Sequence, residues 1–312
     1  MAALHRIDVH HHISPPGYIA ELDPKGIMTR ETLEWTPQQS IDLMDKGGVQ
    51  VALTSITTPG LWFGDTVAAQ KLTRVCNDYA AKLVSDYPKR FGMFVNLPMP
   101  DIDASLKEIA YGLDVLKADG VVFFTSYGDH WLGDPAFDPV FEELNRRKAV
   151  IYVHPTSAAC CTNVLKGIND SVIEYGTDTT RCIAQMILTG RSSRFSDLRI
   201  IWSHGGGTIP FLTMRLVNWA NVRKDLKSRL PDGPVAALKK FYYDTAQAAH
   251  PYALSSLLKL VSTSQVVFGT DYPFVTAAAT AQGLKDFGLG ESDLAAIGRG
   301  NAAALLPRLR AG

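Results

Sequence analysis

Short runs of β-branched and aromatic residues recur along the chain, each bounded by turn residues and followed by a segment with helical spacing. Eight runs read as strands: Arg6–His10, Gln50–Ile56, Phe91–Asn96, Gly120–Phe124, Ala149–His154, Leu198–His204, Phe241–Thr245 and Gln265–Asp271. Between them, Thr66–Asp86, Asp103–Ala118, Pro139–Arg147, Thr177–Gly190, Thr208–Arg229 and Ser255–Val261 carry apolar residues at helical intervals. Val121-Val122-Phe123-Phe124 and Ile200-Ile201-Trp202 are apolar without alternation. Strands buried on both faces read that way, and all-parallel sheets bury both faces. Eight strands alternating with helices predict an α/β protein, a single (β/α)8 TIM barrel over residues 1–312, with its active site at the C-terminal ends of the strands. An open doubly wound sheet fits less well, because no glycine-rich phosphate loop follows the first strand.

Composition narrows the partners. Lys plus Arg and Asp plus Glu both number 31, so nothing favours nucleic acid or a charged membrane surface. No charged-then-apolar leader and no apolar run of membrane-spanning length is present, and a cytoplasmic protein is expected. Four cysteines, Cys76, Cys160, Cys161 and Cys182, suit reduced thiols. The Cys160-Cys161 pair lacks a metal-binding spacing and reads as two buried small residues.

The polar residues fall at one end of the predicted strands. Strand one runs into His10 and His12, strand five ends in His154, strand six in His204, strand seven in Asp244 and strand eight in Asp271. Residues two apart on a strand share a face, so His10 and His12 converge. The His10-His11-His12 run alone reads equally as a solvated cluster or a tag remnant; its partners at the other strand ends decide for a site. His10, His12, His154 and Asp271 make a ligand set for one divalent ion, Zn²⁺ first and Mn²⁺ second. His11 points to the opposite face and packs outward. Strand four ends Phe123-Phe124-Thr125 and offers nothing to bridge a second ion. His204 reads as a ligand, a general acid/base or a core histidine; with four ligands already supplied, proton handling is its better use. Asp271 could bind the ion and shuttle a proton, or cap the next helix. Glycines 205–207 after His204 allow a tight turn and close approach of substrate to backbone.

Loop aromatics after the strands, Trp62, Phe63, Tyr127 and Phe274, are candidates to hold a ring, with core or lid packing as the other reading. Arg181 and Arg215 are candidate carboxylate partners or helix-surface ion pairs.

These segments resemble a known family. Asp8-Val9-His10-His11-His12, Val153-His154-Pro155, Ser203-His204-Gly205-Gly206-Gly207 and Gly269-Thr270-Asp271-Tyr272-Pro273 are similar to the amidohydrolase superfamily, in particular its decarboxylase branch typified by α-amino-β-carboxymuconate-ε-semialdehyde decarboxylase. Pro88-Lys89-Arg90-Phe91-Gly92 and Asn96-Leu97-Pro98 extend the likeness in the same order. Phe63-Gly64-Asp65, Leu132-Gly133-Asp134-Pro135, Cys160-Cys161 and Asp178-Thr179-Thr180-Arg181 resemble its 6-methylsalicylate decarboxylase subgroup. The resemblance implies the same metal ligands, with His204 and Asp271 as catalytic residues. It also implies a homodimer or higher oligomer, with loops Gly128–Pro135 and Ser157–Asp170 as candidate interfaces. The γ-resorcylate decarboxylases have Glu-x-His on strand one and a Glu three residues after the catalytic His. Here those places are His10 and Gly207, so a His–Glu dyad is not expected.

The implied reaction is non-oxidative decarboxylation of an aromatic acid such as an ortho-hydroxybenzoate. Either the ring carbon is protonated directly, or a water deprotonated with help from His204 adds to the substrate first. A lactonase or amidase of the same superfamily, a hydratase of an unsaturated carboxylic acid, and an inactive metal-binding scaffold are the rival readings.

Overall fold

The computed structural model describes residues 5–310. Eight parallel strands follow one another in chain order: β1 Arg6–His12, β2 Val49–Ser55, β3 Phe91–Asn96, β4 Gly120–Phe124, β5 Val150–His154, β6 Arg199–Trp202, β7 Tyr242–Asp244 and β8 Val266–Val267. The chain beyond β8 pairs with β1. Val9 N donates to Phe268 O, Asp271 N to His10 O and His12 N to Tyr272 O, each at 2.9 Å. These bonds close the ring into the predicted (β/α)8 barrel. They also explain why β8 is shorter than its expected span: Phe268–Asp271 remains tied to β1 but leaves the ladder of β7.

Helix Thr66–Asp86 forms over the expected span, started by Asp65, whose carboxylate accepts from Val67 N and Ala68 N. Two expected helices are interrupted. Ile102–Ala110 is α-helical and continues as a π-helical turn, Tyr111–Val115. Ile209–Val222 ends where Arg223 turns extended, and a separate turn, Leu226–Arg229, follows. Helices Pro37–Gly47, Ala277–Asp286 and Asn301–Leu305 were not expected from the pattern. Among the described residues, no helix is long and apolar enough to cross a membrane.

Side chains alternate across β3, β4 and β5. Phe94, Val122 and Tyr152 join the inner cluster, while Val95, Phe123 and Val153 pack outward against the helices. Strand β1 breaks this alternation. Ile7 and Val9 belong to the inner cluster, yet His10 and His12 also meet inside the barrel. The cause is a bulge: Asp8 pairs with Ala52 and His11 with Thr54, so two residues of β1 face the single intervening residue of β2. The Asp8 carboxylate secures it, accepting from His10 N at 3.0 Å, Thr270 N at 3.0 Å and Thr270 Oγ1 at 2.7 Å. The bulge lets β1 contribute apolar packing below and two imidazoles above.

The far end of the barrel is plugged from the C-terminus. Leu305, Leu306 and Leu309 join Ile7, Leu53 and Phe94 in one buried cluster. Replacing Leu305 with Ala should destabilise the protein by about 2–4 kcal/mol through lost burial and the residual cavity. A lowered urea midpoint with unaltered metal content would show this; an unchanged midpoint would mean that the plug does not support the barrel.

Candidate metal centre and substrate cavity

The strand ends bring His10, His12, His154, His204, Asp244 and Asp271 together above this core. His10 Nε2 stands 3.0 Å from His12 Nε2 and 3.1 Å from Asp271 Oδ1. From the same Oδ1, His12 Nε2 is 3.3 Å away and His154 Nε2 4.0 Å. Donors bonded to one ion at about 2.1 Å lie roughly 3.0–3.5 Å apart when they subtend tetrahedral to right angles. Three of the four separations fall in that range and His154 stands wider, so the donor types and their convergence suit a divalent ion. Single atoms of His10, His154, His204 and Asp271 also lie within 4.8 Å of one another, so distance alone does not separate His204 from the ligand set.

The other nitrogen of each of the first three rings is engaged. His10 Nδ1 meets Asp244 Oδ2 at 2.8 Å, His12 Nδ1 meets Ser55 Oγ at 3.2 Å, and His154 Nδ1 meets the Pro155 carbonyl at 2.8 Å. With Nδ1–H donated outward, each Nε2 lone pair faces the centre, the arrangement of metal-ligating histidines. His204 is engaged differently. Its Nε2 lies 3.2 Å from Asp271 Oδ2, and its backbone N donates to Asp244 Oδ1 at 2.8 Å.

Burial and charge act strongly here. Desolvation holds His12 down to about 4 and His154 down to about 3. Burial pushes His10 the same way, but the facing carboxylates of Asp244 and Asp271 overcome it and raise the ring to about 10. Asp271 is buried too, yet His10, His12 and His154 hold its carboxyl well below the usual range. The carboxylates thus favour positive charge at His10, while burial disfavours it at His12 and His154.

Sequence reasoning missed Gln247, whose Nε2 donates to Asp271 Oδ2 at 3.1 Å. Its only signal is position, three residues past Asp244. His204, Gln247 and Asp271 all have positive φ, of 53°, 54° and 68°. Such conformations cost on the order of 1–3 kcal/mol each in non-glycine residues and cluster at working sites. The glycines after His204 serve packing more than open approach: a Cβ on Gly206 would meet Tyr243 at 2.7 Å, and one on Gly207 the Gly176 carbonyl at 2.2 Å.

Beside the cluster lies a cavity of about 390 Å³, lined largely by loop residues after β2, β4 and β5. Trp62, Phe63 and Tyr127 line it, as does Phe124, whose ring centre is 5.9 Å from that of His154. Phe274 stands outside this lining, at the mouth of the cluster, with its ring centre 6.5 Å from His12. Arg181 is also outside it, 3.6 Å from Glu174 and 3.9 Å from Asp178, and Arg215 is exposed on its helix. His11 packs outward as expected, stacked on Tyr272 with Nε2 2.9 Å from Ser40 Oγ. Cys160 and Cys161 correct an expectation. Both are free thiols on the loop after β5, one exposed and one half-buried, because that loop lies over the barrel mouth and not in the core.

The amidohydrolase family model matches residues 7–308. The chain belongs to the amidohydrolase family. Within it, the chain is 36% identical to the decarboxylase yanB of Aspergillus niger, over 98% of this chain and 88% of that protein. It is 32% identical to the 6-methylsalicylic acid decarboxylase of Penicillium expansum, over 98% and 97% of the two chains. In fold it is similar to a dihydroxybenzoic acid decarboxylase of Polaromonas, solved with manganese and the inhibitor 2-nitroresorcinol. That likeness has a TM-score of 0.84 at 20% identity and covers 98% of this chain and 97% of the other. This amidohydrolase is thus a carboxy-lyase by kinship, with a histidine–aspartate cluster suited to a divalent metal.

Asp244→Asn should weaken metal binding by about 10- to 100-fold, because His10 loses the acceptor that fixes its tautomer. Competition with a chromogenic chelator measures this. Unchanged affinity would show that Asp244 does not orient a ligand.

Proposed function

We propose that this chain decarboxylates a 2-hydroxybenzoate-type acid without a redox cofactor, using one divalent ion. The observation that carries the reading is the outward commitment of three Nδ1 atoms, which leaves three Nε2 lone pairs and Asp271 Oδ1 facing one point. Zn²⁺ ranks first for three imidazoles and one carboxylate; Mn²⁺ ranks second, since it tolerates oxygen ligands well. Phe124 supports a single ion, because an apolar ring occupies the end of β4 where a bridging ligand would be needed.

His10, His12, His154 and Asp271 Oδ1 would hold the ion, which when bound would supply positive charge against the substrate carboxylate and neighbouring ortho oxygen. Apolar surface from Trp62, Phe63 and Phe124 would seat the ring and keep water from it. Asp271 divides the work between its two oxygens. Oδ1 faces the imidazoles, while Oδ2 accepts from Gln247 and lies within hydrogen-bond distance of His204 Nε2. The His204–Asp271 pair is placed to deliver a proton to the ring carbon that bears the carboxylate. That carbon becomes tetrahedral, its bond to the carboxyl carbon breaks, the bonding electrons return to the ring, and CO₂ leaves. The enzyme then regains its proton from solvent.

Incubation with ring-substituted 2-hydroxybenzoates, 2-hydroxy-6-methylbenzoate first, should release CO₂. Release should stop after chelator treatment and return with Zn²⁺ or Mn²⁺. A metal-loaded protein that releases none from the whole panel, but opens lactones, would overturn the proposal in favour of a hydrolase. His204→Asn should lower kcat by about 10²- to 10⁴-fold, the range for loss of a proton-transfer group. Metal content should stay at the wild-type level; loss of the metal with His204 would instead make it a ligand.

A further inference from the structure

A second, much smaller space lies beside the larger cavity, with Leu61, Trp62, Phe124 and Tyr127 lining both. It measures about 10 Å³ and reaches Asn96 at the end of β3. That is room for about one oxygen atom. Two residues of its lining each carry a buried polar atom with no hydrogen-bond partner: Asn96 Oδ1 and Trp62 Nε1. Buried polar atoms in folded proteins are nearly always paired, so two orphans around one oxygen-sized space call for an occupant.

The orientation of Asn96 is fixed from behind. Asn77 Nδ2 donates to Glu108 Oε1 at 2.8 Å and to the Asn96 carbonyl at 2.9 Å. Asn77 Oδ1 therefore faces Asn96, accepting from its backbone N at 2.9 Å and its Nδ2 at 3.1 Å. Arg74 Nη2 in turn donates to Glu108 Oε2 at 2.6 Å. Asn77, Asn96 and Glu108 are all buried. Turning the Asn96 amide over would set its oxygen against Asn77 Oδ1, so the chain of bonds keeps Oδ1 free as an acceptor. Trp62 supplies the opposite half, since indole Nε1–H can only donate.

One donor and one acceptor around one oxygen-sized space describe the complement of a hydroxyl group. A carboxylate is too large and would face the Asn96 oxygen with like polarity. A methyl group would leave both orphans unpaired. We propose that this space reads a ring hydroxyl of the substrate, additional to the one beside the carboxylate: its O–H donates to Asn96 Oδ1 and its oxygen accepts from Trp62 Nε1. This rests on the decarboxylase reading and narrows it to polyhydroxylated benzoic acids.

The test compares 2-hydroxy-6-methylbenzoate with its 3-, 4- and 5-hydroxy derivatives, by kcat/KM in the metal-loaded enzyme. Calorimetric binding of 3-methylphenol and its ring-hydroxylated analogues provides a second readout that needs no turnover. A site built to bond a hydroxyl discriminates against the analogue that lacks it. One hydroxylated position should be favoured about 10- to 100-fold in both measurements. Trp62→Phe, which keeps the ring and removes the donor, should shrink that preference to within a few-fold, as should Asn96→Leu; the first variant leaves the Asn77 network intact. Absence of any hydroxyl preference, or a preference untouched by Trp62→Phe, overturns the proposal and assigns the space to a bound water. If no acid is decarboxylated, the decarboxylase reading fails, and calorimetry on the phenols still decides for or against the hydroxyl subsite.

Discussion

Two carboxylates, Asp244 and Asp271, sit buried at the mouth of the barrel, and their ion pairs among the described residues are all with histidine. Buried negative charge is expensive unless matched close by. Neither lysine nor arginine meets this demand; four imidazoles do, along with whatever cation they share. The elevated His10 and the depressed Asp271 are the same attraction seen from its two partners. The strand-end histidines, the bulge that re-aims two of them and the strained turns at His204 and Asp271 all serve this one balance.

The bulge shows how backbone chemistry sets the site. Without the extra residue in β1, the strand could not place Ile7 and Val9 in the packed layer and His10 and His12 above it. Asp8 holds that irregularity by bonding at once to β1 and to Thr270, the residue before Asp271. First and last strands are thereby joined at the point where His10 and Asp271 meet. Asp271 then works in two directions, one oxygen toward the imidazoles and the other toward His204 and Gln247.

Much of this was legible in the sequence, for physical reasons. Strands buried on both faces leave continuous apolar runs, and polar residues at their ends stand out against them. His10, His12, His154, His204 and Asp271 stood out that way and the fold brings them together, while Trp62, Phe63 and Tyr127 on the loops line the cavity. Other features carry no periodic signal. A bulge adds one residue without altering composition, and Asp8 reads as part of the strand it distorts. Gln247 lies in an ordinary polar loop, and only the fold brings it to Asp271. Asn96 and Trp62 are unremarkable until their unpaired atoms are seen around one small space. The expected eighth strand ran long because its last residues stay tied to β1 after leaving the ladder of β7, and the sixth because the chain turns at His204.

In the proposed arrangement one ion is held by His10, His12, His154 and Asp271, with His204 reserved for the proton. Anomalous diffraction at the metal edge tests this most directly. The expected result is one peak per chain within bonding distance of three Nε2 atoms and Asp271 Oδ1, with His204 Nε2 beyond reach. A peak coordinated by His204 in place of His12, or a second peak near β4, would contradict the account.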